Sequence, residues 1–341
     1  MGKPTVHDIA KTAGVSLATV DRVLNARPGV RQKTIDRVNE AIDSLGYIRD
    51  LSAANLARQR VYRFAFVLPE GPDQFVDTLR ASLQEAAANG QSDRLGIKQY
   101  RIPPRDPHAI VGVLQRIGSS HYEGVAIMAP ETPEVRDAIL RLKEQGVAVV
   151  ALVSDLPTSG RDWFVGTNNI AAGRTAGQLM GQFQKDPNGK ILVVSSSMLA
   201  RDAIERRLGF DKVIAERFPD LNVLPSLEGH GDTERIAKII KRAFELNPDI
   251  SGVYSIGSGN KSLLEAIEPF RIANSPIIIG HELTPTMRKA LISDHIDAVI
   301  TQNVGHLARS AIRVLKAKCD NAKLLESQER IRIEIVLREN L

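Results

Sequence analysis

Three charged side chains stand where an α/β chain presents chemistry. Asp155 follows the apolar run VAVVALV with only Ser154 between, Glu282 follows SPIIIGH, and Arg206 sits three residues before Gly209 in the helical stretch DAIERRLGFDKVIAERF. A carboxylate directly after a buried strand is rarely there for packing, and acids, amides and an arginine gathered at one mouth can hydrogen-bond the hydroxyls of a polar solute. Covalent chemistry has no comparable support. The seven histidines are scattered and Cys319 is the lone cysteine, which excludes an internal disulfide and a multi-thiolate metal site. No phosphate-cradling G-x-x-x-x-G-K-[ST], dinucleotide-binding G-x-G-x-x-G with a following acid, H-E-x-x-H or G-x-S-x-G is present. Neither an enzyme nor a resident cofactor or metal is expected.

The elements around these residues alternate. RFAFVLP, FVDTLRASLQEAA, IKQYRI, HAIVGVLQRI, EGVAIMA, PEVRDAILRLKEQG and VAVVALV form one β-α series. A second runs through AAGRTAGQLMGQF, KILVVSS, the Arg206 helix, ERIAKIIKRAFEL, SGVYSI, SPIIIGH and DAVITQ. Short apolar strands separated by amphipathic helices predict parallel sheets covered on both faces, here as two doubly wound lobes. Solutes in such sheets bind beyond the C-terminal strand ends, so Asp155, Arg206 and Glu282 are expected to meet around one ligand in an interlobe cleft. Fold alone does not decide chemistry, and α/β sheets host many enzymes.

The 341 residues suit two or three compact units, and no run approaches the roughly 18 unbroken apolar residues of a membrane span. MGKPTVHDIA has no apolar run before a small-residue cleavage site, so a cytoplasmic protein with no membrane partner is expected. The net charge of +5 is unevenly placed: residues 1–60 hold ten Lys or Arg against six Asp or Glu. A basic head suggests a polyanion at one end, although charge alone fits a solvated surface equally well.

Within that head, Val6, Ile9, Ala10 and Ala13 recur at helical spacing, Gly14 stops the helix, and Val15 can plug the corner. Ser16 is a good N-cap for a second helix, LATVDRVLN, with Val20, Val23 and Leu24 facing inward. A third apolar period, Ile35, Val38, Ile42 and Leu45, ends at Gly46. The result is a small all-α helix-turn-helix unit, a pattern that ordinary helix packing also produces.

The wording of the segment goes further. TVHDIAKTAGVSLATVDRVLNARPGVRQKTIDRVNEAIDSLGYIRD closely resembles the headpiece of the lactose/galactose repressor family over some 45 gap-free residues. The resemblance implies a double-stranded DNA operator as partner, with the second helix in the major groove. It places Leu17 and Ala18 at base edges, Arg22 at a guanine or phosphate, and Ser16, Thr19, Asn25 and Thr34 at phosphates. Asp21 and Asp50 depart from the family pattern, and Asp21 is not counted as a contact. Residues 51–60, LSAANLARQR, correspond to the family's hinge helix, which folds over the operator in pairs and drives Leu56 between base pairs, with Ala53 and Ala57 beside it.

The remaining chain, 61–341, resembles the type 1 periplasmic sugar-binding fold that the same family uses as its sensor. The implied lobes are residues 61–166 with 303–320, and 167–302 with 321–341. By this resemblance Asp73 and Phe75 follow the first strand, Ser154 and Asp155 supply partners for hydroxyls, Asn169 shapes the cleft, and Arg206 clamps the ligand from the second lobe. Glu282 stands where aspartate is common, Gln302 marks the last crossover, and Asn260 closes a loop of shifted spacing. An asparagine at a turn such as Asn169 also serves as a local cap, and a lone Phe75 also serves as core.

With several acids and amides, one arginine and little aromatic surface, the site suits a sugar or similar small polar effector. The family's commoner mode is repression relieved by ligand. The C-terminal RIRIEIVLRENL shows strand alternation and no sustained heptads, so a homodimer is expected rather than a tetramer. A plain solute-binding protein is the other rival, and the basic helical head argues against it.

Overall fold

The computed structural model describes residues 4–24, 27–47, 60–89, 94–103, 106–118, 122–257 and 259–341. The chain falls into two compact units, Met1–Arg60 and Val61–Leu341.

In the first unit, α1 (Val6–Ala13) opens on a reciprocal cap, the Thr5 side chain accepting from the Asp8 amide while Asp8 accepts from the Thr5 amide. Gly14 ends it at φ 61°, a left-handed conformation that costs a residue without Cβ nothing. Ser16 then caps α2 (Leu17–Leu24), its Oγ accepting from the Thr19 amide at 3.2 Å. The third helix, α3 (Gln32–Leu45), ends at Gly46. Ile9, Ala10, Ala13, Val20, Val38 and Ala41 form the core, with Val15, Val23, Leu24, Ile42 and Leu45 packed around it. Val6 is an exception to the expected apolar face: it sits in the first turn, 38% exposed. Asn25 and the expected hinge contacts Ala53, Leu56 and Ala57 lie outside the described residues.

The second unit begins with β1 (Tyr62–Pro69), α4 (Gln74–Asn89), β2 (Leu95–Ile102), α5 (Pro107–Arg116), β3 (Gly124–Ile127), α6 (Pro133–Glu144), β4 (Ala148–Leu152) and β5 (Trp163–Val165). Their five strands form one parallel sheet of order β2-β1-β3-β4-β5. The chain then crosses into α7 (Asn169–Phe183), β6 (Lys190–Ser195), α8 (Arg201–Arg217), β7 (Asn222–Val223), β8 (Leu227–Glu228), α9 (Thr233–Leu246), β9 (Ile250–Ser255), α10 (Asn260–Asn274), β10 (Ile277–His281), α11 (Pro285–Ile292) and β11 (Ala298–Thr301). It returns as α12 (Val304–Cys319), continues through the short α13 (Glu326–Glu329), and ends with β12 (Glu334–Val336) on the second sheet. That sheet runs β12-β11-β10-β9-β6-β7, with β8 also on β6 and β12 antiparallel to β11.

Each sheet has a core on both faces, as parallel sheets require. In the first lobe one face joins Phe64, Phe66 and Leu68 to α4 and to Leu307, Ala311 and Leu315 of α12; the other packs Val67, Val125, Ile127 and Val149 against α5 and α6. The second lobe likewise divides between the side of α9, α10 and α11 and that of α7 and α8. Helix α12, although C-terminal to β11 of the second sheet, therefore belongs to the first lobe by packing. Ile331 also packs in the first-lobe core, so the final crossing falls later than residue 321. The alternation in RIRIEIVLRENL becomes strand only at Glu334–Val336.

Two glycines set the spacing that matters for the site. A Cβ on Gly173 of α7 would lie 1.9 Å from the Arg206 carbonyl oxygen, and one on Gly209 of α8 would lie 2.1 Å from that of Ile170. The two helices thus touch backbone to backbone, which only residues without side chains permit.

Candidate functional site

The close crossing of α7 and α8 puts Arg206 beside Asn169, the first residue of α7. The guanidinium is 3% exposed. It donates from Nε to Asn169 Oδ1 at 2.9 Å, from Nη1 to the Ile256 carbonyl at 2.9 Å, and from Nη2 to Glu282 Oε1 at 3.0 Å. Asn169 in turn donates from Nδ2 to the Val153 carbonyl at 3.1 Å, tying the second lobe to the end of β4. Gln302, directly after β11, donates from Nε2 to Glu282 Oε1 at 3.1 Å. Four side chains foreseen as ligand contacts, Asn169, Arg206, Glu282 and Gln302, therefore form one buried network.

Two atoms of that network have no hydrogen-bond partner among the described residues, Glu282 Oε2 and Gln302 Oε1. A buried acceptor left unmatched costs about 1–3 kcal/mol, so such atoms favour a molecule that brings donors. Gln302 lines a cavity of about 140 Å³ shared with Phe75, Thr78, Thr284 and Glu334. That cavity lies between the lobes, since Phe75 belongs to the first-lobe core while Thr284 and Glu334 belong to elements of the second.

Burial raises the Glu282 carboxyl above the usual range, and Arg206 and Gln302 offset this only in part. Burial works against the Arg206 charge, but Glu282 and Asp202 outweigh it, so the guanidinium stays protonated. Next to Glu282, His281 is also fully buried, with Nε2 2.8 Å from the Tyr254 hydroxyl. Burial, reinforced by Arg206, depresses its pKa well below 6.5 and keeps the ring neutral. Tyr254 stacks on Phe210 of α8 at 4.4 Å. The backbone is bent at two points of the rim: Glu282 stands at φ 68° and Val153 at φ 63°.

The other foreseen residues have different employment. Asp155 does not join Arg206 and Glu282; its carboxylate takes both Nε and Nη2 of Arg161, six residues on. The expectation that Asp155, Arg206 and Glu282 converge is corrected to Arg206 and Glu282 with Asn169 and Gln302. Ser154 is buried and accepts from the Asp202 amide across the lobes at 3.3 Å. Asp73 Oδ1 caps α4, accepting from Phe75 and Val76 amides at 2.9 and 3.2 Å. Phe75 is both core and cavity wall. Asn260 spends its amide on Ser255 and on the His281 carbonyl, so it braces the residue before Glu282. Sequence reasoning missed Asp202, His281 and Tyr254. Asp202 was legible as the residue one helical turn before Arg206.

In the headpiece, α2 turns Leu17, Ala18 and Arg22 outward while Val20 is fully buried. Ser16 and Thr19 hydroxyls lie 3.0 Å apart at its start, and Thr34 is half-buried in the first turn of α3. Asp21 pairs with Arg27 at 3.2 Å, which reduces the repulsion an unpaired carboxylate would exert on phosphates. Among the described residues no His, Cys, Asp and Glu group could hold a metal, and no helix is long and apolar enough to cross a membrane.

A small three-helix unit and a two-lobed α/β unit with a buried polar cleft make up the described residues. Residues 64–323 match the periplasmic binding protein domain family, and residues 5–50 match the bacterial regulatory proteins of the lacI family. The chain belongs to the periplasmic binding protein domain family, with a lacI-type segment ahead of that domain. It is 35% identical over 167 residues to catabolite control protein A of Staphylococcus xylosus, covering 49% of this chain and 47% of that protein. The chain spans about half the length or less of the curated relatives it matches. The fold is similar to a glucose-galactose binding protein from Geobacillus stearothermophilus, with TM-score 0.73, 17% identity, and 83% and 99% of the two chains covered. It is also similar to a solute binding protein from Burkholderia graminis solved with D-arabinose, with TM-score 0.72, 21% identity, and 82% and 96% covered.

Proposed function

We propose that the chain is a cytoplasmic, ligand-responsive transcription repressor that binds a palindromic DNA operator as a homodimer and is released by a small polar effector of the sugar type. The observation that carries the effector half is the buried Arg206–Glu282 pair with two unmatched acceptors, Glu282 Oε2 and Gln302 Oε1, in the network beside the interlobe cavity. Hydroxyl donors of a bound sugar satisfy such acceptors, and bonds to charged groups are worth about 1.5–3 kcal/mol each. The DNA half rests on α2, whose exposed Leu17, Ala18 and Arg22 form one outward face on a basic unit. Asn25, Ala53, Leu56 and Ala57 complete the proposed contacts from the family pattern.

The effector acts by preferring one lobe arrangement, because a ligand shifts an equilibrium only through its differential affinity for the states. The experiment is operator release together with ligand titration on wild type and Arg206→Ala. The variant is expected to hold the operator, lose about ten- to a hundred-fold in ligand affinity, and no longer release. Wild-type affinity and wild-type release in Arg206→Ala would place the effector site elsewhere.

A further inference from the structure

The cleft around Arg206 is electrically unbalanced. Its three hydrogen-bonding nitrogens are already engaged by Asn169, the Ile256 carbonyl and Glu282, and Glu282 is its counterion. Other cations near the mouth are spoken for within the protein. Arg161 is held by Asp155, and Arg201 reaches Glu131 at 3.5 Å and Glu205 at 2.7 Å.

The acids are less well matched. Asp202 lies one turn before Arg206 on the same face of α8, and its amide bonds Ser154 of the first lobe, so the residue stands at the junction of the lobes. From there it acts on Arg206, Glu282 and Asp73 alike. Asp73 is pushed upward by burial and then by Asp77 and Asp202, and only its bonds to the start of α4 oppose this. Two carboxylates, Asp202 and Glu282, thus act on one guanidinium, and Asp73 adds a third negative charge beside Asp202.

The buried amide and acid beside them point the same way. Glu282 is 7% exposed and Gln302 4%, and each keeps one oxygen without a donor. Both unmatched atoms are acceptors, and the guanidinium beside them is already turned to Glu282 Oε1.

We propose that the effector is a hydroxylated monocation, an amino sugar in its simplest form, whose protonated amine lies against Glu282 Oε2 and the Asp202 carboxylate while its hydroxyls meet Gln302. The proposal rests on the cleft being the effector site. An ammonium offers three donors and no acceptor, which is what unmatched carboxylate and amide oxygens require. A neutral sugar supplies donors but leaves the surplus carboxylates uncompensated where the dielectric is low. A sugar phosphate adds like charge to like.

The test uses the full chain, thermal unfolding and titration calorimetry, with D-glucosamine, D-galactosamine and D-mannosamine as probes against D-glucose, D-galactose, N-acetyl-D-glucosamine and glucose 6-phosphate. Amines are expected to raise the unfolding midpoint and to bind at least about tenfold more tightly than the neutral sugars. Their affinity should rise from about pH 5 to about pH 7 with release of protons, because a bound cation favours the ionised acids. Asp202→Asn keeps the backbone bond to Ser154 and the side-chain shape, and it should erase the preference for amines. A neutral or phosphorylated sugar binding as tightly as the amines, or an amine preference unchanged in Asp202→Asn, overturns the proposal. If the probe that binds is lost in Arg206→Ala, the effector-site reading stands whatever its charge; if it is retained there, that reading fails instead.

Discussion

Arg206 Nη2 and Glu282 Oε1 meet at 3.0 Å although 76 residues separate them in the sequence, and both side chains are buried. The contact joins α8 to the end of β10. Removing one partner of such a pair leaves the other charge buried and uncompensated, which matters more than the attraction lost.

Glu282→Gln is therefore expected to destabilise the sensor by about 3–5 kcal/mol, because the neutral amide leaves the Arg206 charge in place. Urea unfolding of wild type and variant measures this. A loss below about 1 kcal/mol would mean that the pair is solvated in solution.

His281 gives the sensor a signed pH dependence. Its folded pKa lies well below 6.5, so the unfolded chain binds more protons as pH falls below that value, and stability must drop there. Above about pH 7 both states hold a neutral ring and the contribution is flat. The midpoint of thermal unfolding should fall on acidification from about pH 6.5, and His281→Gln should reduce the slope. An identical slope in the variant would assign the effect to carboxylates.

Gly173→Ala adds a methyl group at 1.9 Å from the Arg206 carbonyl, where the neighbour is backbone and cannot swing aside. Helix α8 must move, at a cost of about 1–3 kcal/mol, and Arg206 moves with it. Ligand affinity is expected to fall together with stability. Gly112→Ala, where a Cβ inside α5 meets nothing within 4 Å, is the control: it should leave ligand affinity unchanged and raise stability by about 0.5–1 kcal/mol.

In the headpiece, Arg22→Ala should weaken operator binding and relax sequence preference, a base contact being worth about 1–3 kcal/mol. Leu56→Ala should reduce specific affinity and leave ligand binding untouched, since a wedge acts only on bent DNA. A gel shift with full and half operators checks both, and equal affinity for an isolated half-site would rule out the paired arrangement.

Most of this architecture was legible in the residues. Gly14, Ser16 and Gly46 are turn and cap residues, and they end or begin helices where they stand because their backbone and side-chain chemistry is local. The strands of both sheets were legible because burial on two faces leaves uninterrupted apolar runs such as VAVVALV. Arg206, Glu282 and Gln302 were located by their positions beside strand ends and the cleft helix. Asp155 met the same criterion but turns to Arg161 and not to Arg206, because a strand end says where a side chain starts and nothing about a cation six residues on. Val6 fits the helical period yet is exposed, since periodicity cannot tell the first turn of a short helix from its middle. Asp202 escaped attention because a charge on a helix is ordinarily solvated, and only the close crossing at Gly173 and Gly209 turns that face inward.

Val153 carries a mechanical consequence. A β-branched residue at φ 63° holds a conformation that costs about 1–3 kcal/mol, and it persists only while its surroundings enforce it. The enforcing bonds come from both lobes: the Val153 amide donates to the Val165 carbonyl within the first, while Asn169 of the second donates to the Val153 carbonyl and the Asp202 amide to the neighbouring Ser154 hydroxyl. Strand β4 thus ends in a loaded spring pinned at its tip from both lobes.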